Sequence, residues 1–282
     1  MTEDIFRKAG MEREGIERFI NRIKEDIAGG MYEAAVVKVA RHGVVVVDEA
    51  FGYTDIRVNR PARRDDVFKI LSLTKAFVNV LVLQAIDRGQ LTLTTRVVDV
   101  IPEFWGRDRH RTRWKERVNV AYLLTHRSGL PATPTPVPYT ELHDFPHVLE
   151  AVCQMDLVTE PGKVVNYSPT VNHVLLAEMV RRVNGKYQSL RELLKHELFD
   201  PLGMTSTSLG VTEELKDRVV PLRPKDMSNS WLNAEDVTGV GDAISMPNSE
   251  MPWVGCVSTA DDVFKFAEML RLGGTANGVR II

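Results

Sequence analysis

Only two cysteines, Cys153 and Cys256, occur in 282 residues, far apart and in no metal-ligand spacing. A disulfide-stapled scaffold is therefore excluded, and two buried free thiols in a reducing cytosol are expected. Charge of one sign is equally scarce. A formal net charge of −2 leaves no broad field to draw nucleic acid or an anionic membrane surface, so neither is expected as a partner. No apolar run approaches the ~20 residues of a membrane span. The first residues, "MTEDIFRKAGMEREGIERF", carry charge where a secretory signal has its apolar stretch, and a cytoplasmic location is expected. Missing too are a G-x-S-x-G elbow, an H-E-x-x-H helix and a P-loop. Their absence sets aside α/β-hydrolases, zincins and P-loop nucleotide enzymes.

What is present is a chain that is 44% hydrophobic, with ample material for one large domain or two intertwined ones. Ile16, Phe19, Ile20, Ile23 and Ile27 recur at helical spacing, predicting a helix over 14–28 that stops at Gly29-Gly30. Two β-branched runs, "YEAAVVKVAR" and "VVVVDEAFGY", flank His42-Gly43 and predict an antiparallel hairpin. "TKAFVNVLVLQAIDRG" has helical length and is mostly apolar, as a buried central helix would be. Beyond residue 90 the strand signal fades, and helices such as "VNVAYLLTH", "TVNHVLLAEMVRRVNG" and "LRELLKHELFDPLG" alternate with proline-rich loops. A last helix, "STADDVFKFAEMLRLGG", is expected to take Ser258 as its N-cap and to close at Gly273-Gly274. The closing "NGVRII" reads as the start of a further strand. The pattern predicts an α+β fold: residues 1–90 and 251–282 forming one α/β domain, with 91–250 a mostly helical insert.

One local pattern carries chemistry. In "VFKILSLTKAF", Ser72 and Lys75 stand three apart, one helical turn, among apolar neighbours. A serine hydroxyl is a poor nucleophile until a neighbour takes its proton. A lysine with its solution pKa of about 10.4 cannot do so at neutral pH, whereas burial lowers that value by up to ~3–5 units. If Ser72 sits in the first turn of the helix, local N–H groups also favour a developing oxyanion. The tetrapeptide alone is weak, because S-x-x-K recurs by chance and a lysine at a helix start can snorkel to the surface.

The surroundings strengthen it. "VFKILSLTKAF" resembles F-x-I-x-S-x-T-K, and "VNVAYLLTHRSGLP" is similar to I-T-V-x-x-L-L-T-H-x-S-G-L. "PGKVVNYSPTVNHVLLAEMV" resembles P-G-x-x-x-x-Y-S-N-x-x-x-x-L-L. "LFDPLGMTSTSLG" and "VGCVSTADDVFKFAEML" resemble P-L-G-M-x-x-T and G-x-x-S-T-A-x-D-L-x-x-F. In that order, from about residue 14 onward, they resemble the serine β-lactamase-like superfamily of class C β-lactamases, D-alanyl-D-alanine peptidases and family VIII-type esterases. The resemblance implies a β-lactamase/transpeptidase-like fold, an antiparallel sheet flanked by helices with an inserted helical domain. It also implies three catalytic positions: Ser72 as the acylated nucleophile, Lys75 as its base and Tyr167 as the tyrosine of Y-x-N. A tyrosine between the two makes independent sense as a proton relay. No cofactor and no metal are implied.

Two departures shape the expected activity. Pro169 stands where Y-x-N has its asparagine, which removes a side-chain amide suited to an acyl amide group. That favours small acyl esters as substrates. Amide hydrolysis (β-lactams, D-amino-acid peptides), acyl transfer and a non-catalytic relative remain the alternatives. The family's K-T-G or H-x-G strand would follow the last matched helix and is not in this sequence, so the sheet is expected to be cut short. Other signals point to structure. The basic run "RDRHRTRWKER", 107–117, reads as a solvated loop. His143 and His147 are separated by Pro146 and suggest no metal site. His126 is expected to be structural, shaping the cleft, and His173 to be a satisfied core histidine. Nothing in the sequence specifies an oligomeric state.

Overall fold

The computed structural model describes residues 3–106, 113–133, 135–225, 227–228, 230 and 232–282. It opens with α1 (Glu3–Ala9) and α2 (Arg13–Ala28). The hairpin β1 (Ala34–Arg41) and β2 (Val44–Asp55) follows, then β3 (Arg60–Pro61) and β4 (Phe68–Lys69). Next come α3 (Thr74–Asp87), α4 (Val97–Val100), α5 (Val120–Leu124), α6 (Phe145–Gln154) and α7 (Val171–Asn184). α8 (Leu190–Leu194) runs through a wider π-turn into α9 (Asp200–Leu202), followed by β5 (Ser208–Leu209) and α10 (Ala234–Ser245). β6 (Cys256–Ser258), α11 (Ala260–Arg271), β7 (Thr275–Ala276) and β8 (Val279–Arg280) complete it.

Every pair among these strands is antiparallel, in sheets ordered β1-β2-β3, β4-β6-β5 and β7-β8. The β1–β2 turn falls at His42-Gly43, both at positive φ, the geometry that lets a two-residue turn follow the strand twist. α2 buries Ile16, Ile20 and Ile23 as its periodicity predicts, but Phe19 lies on the outer face and is exposed. Its stripe closes with Phe6 and Ala9 over Val46 and Val47, a small core on one side of the hairpin.

The larger core forms around α3. This helix is apolar on nearly every side, and Phe77, Val78, Val80, Leu81 and Val82 are buried, with α7 packed against it. Phe77 meets Phe199 and Phe266 edge-to-face at 5.3 and 4.8 Å, joining α3 to the π-turn and to α11. Burying one such ring contributes about 1.5–3 kcal/mol. α7 carries a buried carboxylate, Glu178, satisfied by Arg181 and Arg182 on its own next turn.

Two local expectations are corrected, and one is met. α11 is capped by Thr259, whose side chain accepts from Asp262 N, whereas Ser258 belongs to β6 and shares a hydrogen bond with Thr207. The closing "NGVRII" does form the further strand expected: Asn277 and Gly278, both at positive φ, turn β8 back onto β7. In the basic run, residues 107–112 lie outside the described residues, and Lys115 is not solvated. It is 3% exposed, with its ammonium 2.7 Å from the Cys153 carbonyl and over the Phe104 ring. Both cysteines are buried and free, and burial pushes their thiols up to about 11 and about 12. Among the described residues no helix is long and apolar enough to cross a membrane.

Candidate active site

The site begins with a short splice between strand and helix. β4 pairs with β6 through Phe68–Ser258 and Lys69–Val257, and Ile70 N extends the ladder by donating to the Cys256 carbonyl. On the return side Cys256 N donates to Thr74 Oγ1 at 3.0 Å. Between these anchors the chain must turn sharply. Leu71 does so at φ +46, a left-handed conformation costly for a branched side chain and held here by the strand bonds around it. Leu71–Leu73 form a 3-10 turn that feeds directly into α3. Ser72 therefore stands exposed at the head of the buried helix, in the turn before its first.

Lys75 lies one turn on and is buried, with 6% of its surface exposed. Its Nζ is 3.0 Å from Ser72 Oγ and 2.7 Å from the backbone carbonyl of Trp253. Among the described residues no carboxylate pairs with it. Burial alone lowers its pKa to about 7. As an ammonium the group donates to both oxygens. As a neutral amine it keeps its bond to the carbonyl and turns its lone pair to accept from the serine hydroxyl.

Tyr167 comes from the loop before α7. Its hydroxyl is 3.0 Å from Ser72 Oγ, and the Lys75 ammonium lies 5.5 Å from the centre of its ring. The three residues singled out in the sequence are thus brought together from α3, the turn before it, and a loop nearly a hundred residues away. They open onto a cavity of about 100 Å³ with mostly apolar walls: Leu71, Pro169, Leu222, Val237, Val240 and Trp253 among them. Tyr139 and Asp236 form its polar corner, the phenol donating to the carboxylate. Burial and that carboxylate push the phenol up to about 12.

A polar layer lies behind the tyrosine. His126 Nδ1 accepts from Ser168 N and from the Asn172 side chain, each at 3.1 Å, and Asn172 in turn accepts from Ser128 Oγ. His173 Nε2 meets Asn79 Oδ1 at 3.1 Å, while its buried Nδ1 has no partner among the described residues. His173 is therefore half satisfied, not the fully satisfied core histidine expected. Burial, and the nearby Lys75, hold both imidazoles below their usual pKa. His143 and His147 take no part: His147 pairs with Glu141 at 2.9 Å, and Pro146 sits in the first turn of α6.

Sequence reasoning missed the Trp253 carbonyl, because a backbone acceptor leaves no side-chain signal. It also missed α10 as a cavity wall, since Gly239 and Gly241 interrupt the apolar pattern that would mark the helix. The layer behind Tyr167 could have been found in "LLTHRSG", where only a structural role was assigned to His126.

Residues 19–280 match the family model described as Beta-lactamase. The chain belongs to the Beta-lactamase family. Over 219 residues it is 30% identical to Penicillin-binding protein 4 of Amycolatopsis lactamdurans, covering 77% of this chain and 54% of that protein. Over 96 residues it is 41% identical to esterase EstB of Burkholderia gladioli, covering 34% of this chain and 24% of the esterase. The crystal structure of a family VIII carboxylesterase superposes with a TM-score of 0.77 at 25% identity, over 93% of this chain and 71% of that one. This Beta-lactamase family chain thus spans about half of the penicillin-binding protein and a quarter of the esterase. Its mixed α/β architecture is that of β-lactamases and transpeptidases, and the hydrolase class is common to its esterase relatives.

Proposed function

We propose that this chain is a serine hydrolase of small acyl esters, working through an acyl-enzyme on Ser72. The observation that carries the reading is the state of Lys75: buried, unpaired with any described carboxylate, and within 3.0 Å of Ser72 Oγ. Its neutral form takes the hydroxyl proton as Oγ attacks the ester carbonyl carbon. Tyr167, in reach of the same oxygen, relays that proton to the departing alcohol as the ester C–O bond breaks. Water then attacks the acyl carbon, returning Ser72 and releasing the acid. An acceptor alcohol in place of water would give acyl transfer.

The ester preference is supported by the cavity. Pro169 lines it and offers no amide to an amide substrate, and its walls and small volume suit a short apolar acyl chain. A fluorophosphonate probe should label the wild-type chain and leave Ser72→Ala unlabelled, with hydrolysis of p-nitrophenyl butyrate lost in the same variant. Equal behaviour of the two proteins toward the probe, p-nitrophenyl butyrate and nitrocefin would overturn the reading.

A further inference from the structure

The loop carrying Tyr167 is fastened on both sides of that residue by one other, His126. The backbone carbonyl of His126 accepts from Asn166 N at 2.8 Å, and its side-chain Nδ1 accepts from Ser168 N at 3.1 Å. The imidazole also packs on the phenol, with ring centres 4.8 Å apart. Residues 166 and 168 are thus held by one partner, and residue 167 is left with its side chain directed at Ser72. His126 can do this only in a special state. A backbone N–H can only donate, and the Asn172 amide donates as well because its oxygen is occupied by Ser128 Oγ. Nδ1 therefore carries no proton, and the imidazole is the neutral Nε2–H form. His126 also sits at φ +54, a conformation disfavoured for a histidine, and that turn is what points its carbonyl and its ring at the same loop.

We propose that His126 is a positioning residue for Tyr167, fixing the phenol against Ser72 by clamping the backbone on either side of it. The inference rests on the proposed role of Tyr167 in proton transfer. The titratable groups facing His126 are Lys75 from α3, His173 from α7 and Tyr167 itself. Two of these are cationic when protonated, so the cluster opposes a charged imidazole. Protonation of Nδ1 would replace an acceptor by a donor opposite Ser168 N and release the clamp.

The test is a double-mutant cycle on the rate of Ser72 labelling by a fluorophosphonate probe, run well below the melting midpoint. His126→Gly removes the acceptor without straining the left-handed backbone, and it should slow labelling by about 10- to 100-fold, the cost of a displaced catalytic group. His126→Asn, which tolerates the same backbone and places Oδ1 near the lost Nδ1, should recover most of that rate. In a Tyr167→Phe background His126→Gly should cost nothing further, because the group it positions is gone. Additive losses would overturn the proposal, as would failure of His126→Asn to recover the rate while folding normally. A Tyr167→Phe variant as fast as wild type would instead remove the role of Tyr167 on which the proposal stands. Ser72→Ala then shows independently whether the nucleophile assignment survives.

Discussion

Lys75 Nζ stands 2.7 Å from the carbonyl oxygen of Trp253, a residue 178 positions further along the chain. Among the described residues, that one neutral acceptor and the serine hydroxyl are the amine's hydrogen-bond partners. The fold therefore holds the group where its charged form is disfavoured, and pays in stability. In the unfolded chain the amine titrates near 10.4, whereas in the folded chain it titrates at about 7. Between those values the unfolded state binds the extra proton, so the burial penalty is full below pH 7 and fades as the pH rises toward about 10. Lys75→Met should be inactive yet more stable at pH 6, by about 1–3 kcal/mol once the orphaned carbonyl is counted. Thermal melts at pH 6 and pH 10 check this: the advantage should shrink at the higher pH. A variant less stable than wild type at pH 6 contradicts it.

Pro169 faces the cavity where the resemblance predicts an asparagine. Pro169→Asn supplies a donor and an acceptor for a substrate amide, worth about tenfold for one added hydrogen bond. The ratio of nitrocefin to p-nitrophenyl butyrate turnover should rise by that order. An unchanged ratio would mean that the acyl amide binds elsewhere.

Gly129 ties the "HRSG" turn to the segment leading to Tyr167, its carbonyl accepting from Val158 N and Thr159 N. It has φ +82, and a Cβ there would lie 2.2 Å from the Thr159 carbonyl oxygen. Gly129→Ala should cost about 2–4 kcal/mol, the left-handed penalty plus displacement of that backbone. Urea unfolding gives the stability, and probe labelling of the folded fraction should fall with it. A loss below 1 kcal/mol would show that the two segments part easily.

Phe77 tests the core that carries the site. It is fully buried between Phe199 and Phe266. Phe77→Ala should cost about 3–5 kcal/mol, measured by the urea midpoint at unchanged slope. A smaller cost would mean that α3 is fixed mainly by its strand contacts.

Much of this was legible because it is local. Ser72 and Lys75 share a helical face through their spacing, α2 announces itself by its apolar period, the β1–β2 hairpin by its β-branched runs and turn, and α3 and α7 by apolar stretches of helical length. Tyr167 could be placed only through the resemblance, since nothing local distinguishes it from any loop tyrosine. What escaped is tertiary. A leucine at φ +46 has no sequence mark, because the strain at Leu71 is imposed by β6 on one side and α3 on the other. Lys115 looks like part of a basic surface run, yet a carbonyl and an aromatic face draw it inward. The cap of α11 shifted by one residue because Ser258 was claimed by a strand pair.

The most direct test is the pH dependence of Ser72 labelling by a fluorophosphonate probe between pH 5 and pH 10. An amine with a pKa of about 7 acting as the base predicts a rate that rises with pH through a single midpoint near 7 and then levels off. A rate that keeps climbing to a midpoint near 10, or that is unchanged in Lys75→Met across the range, would contradict the account.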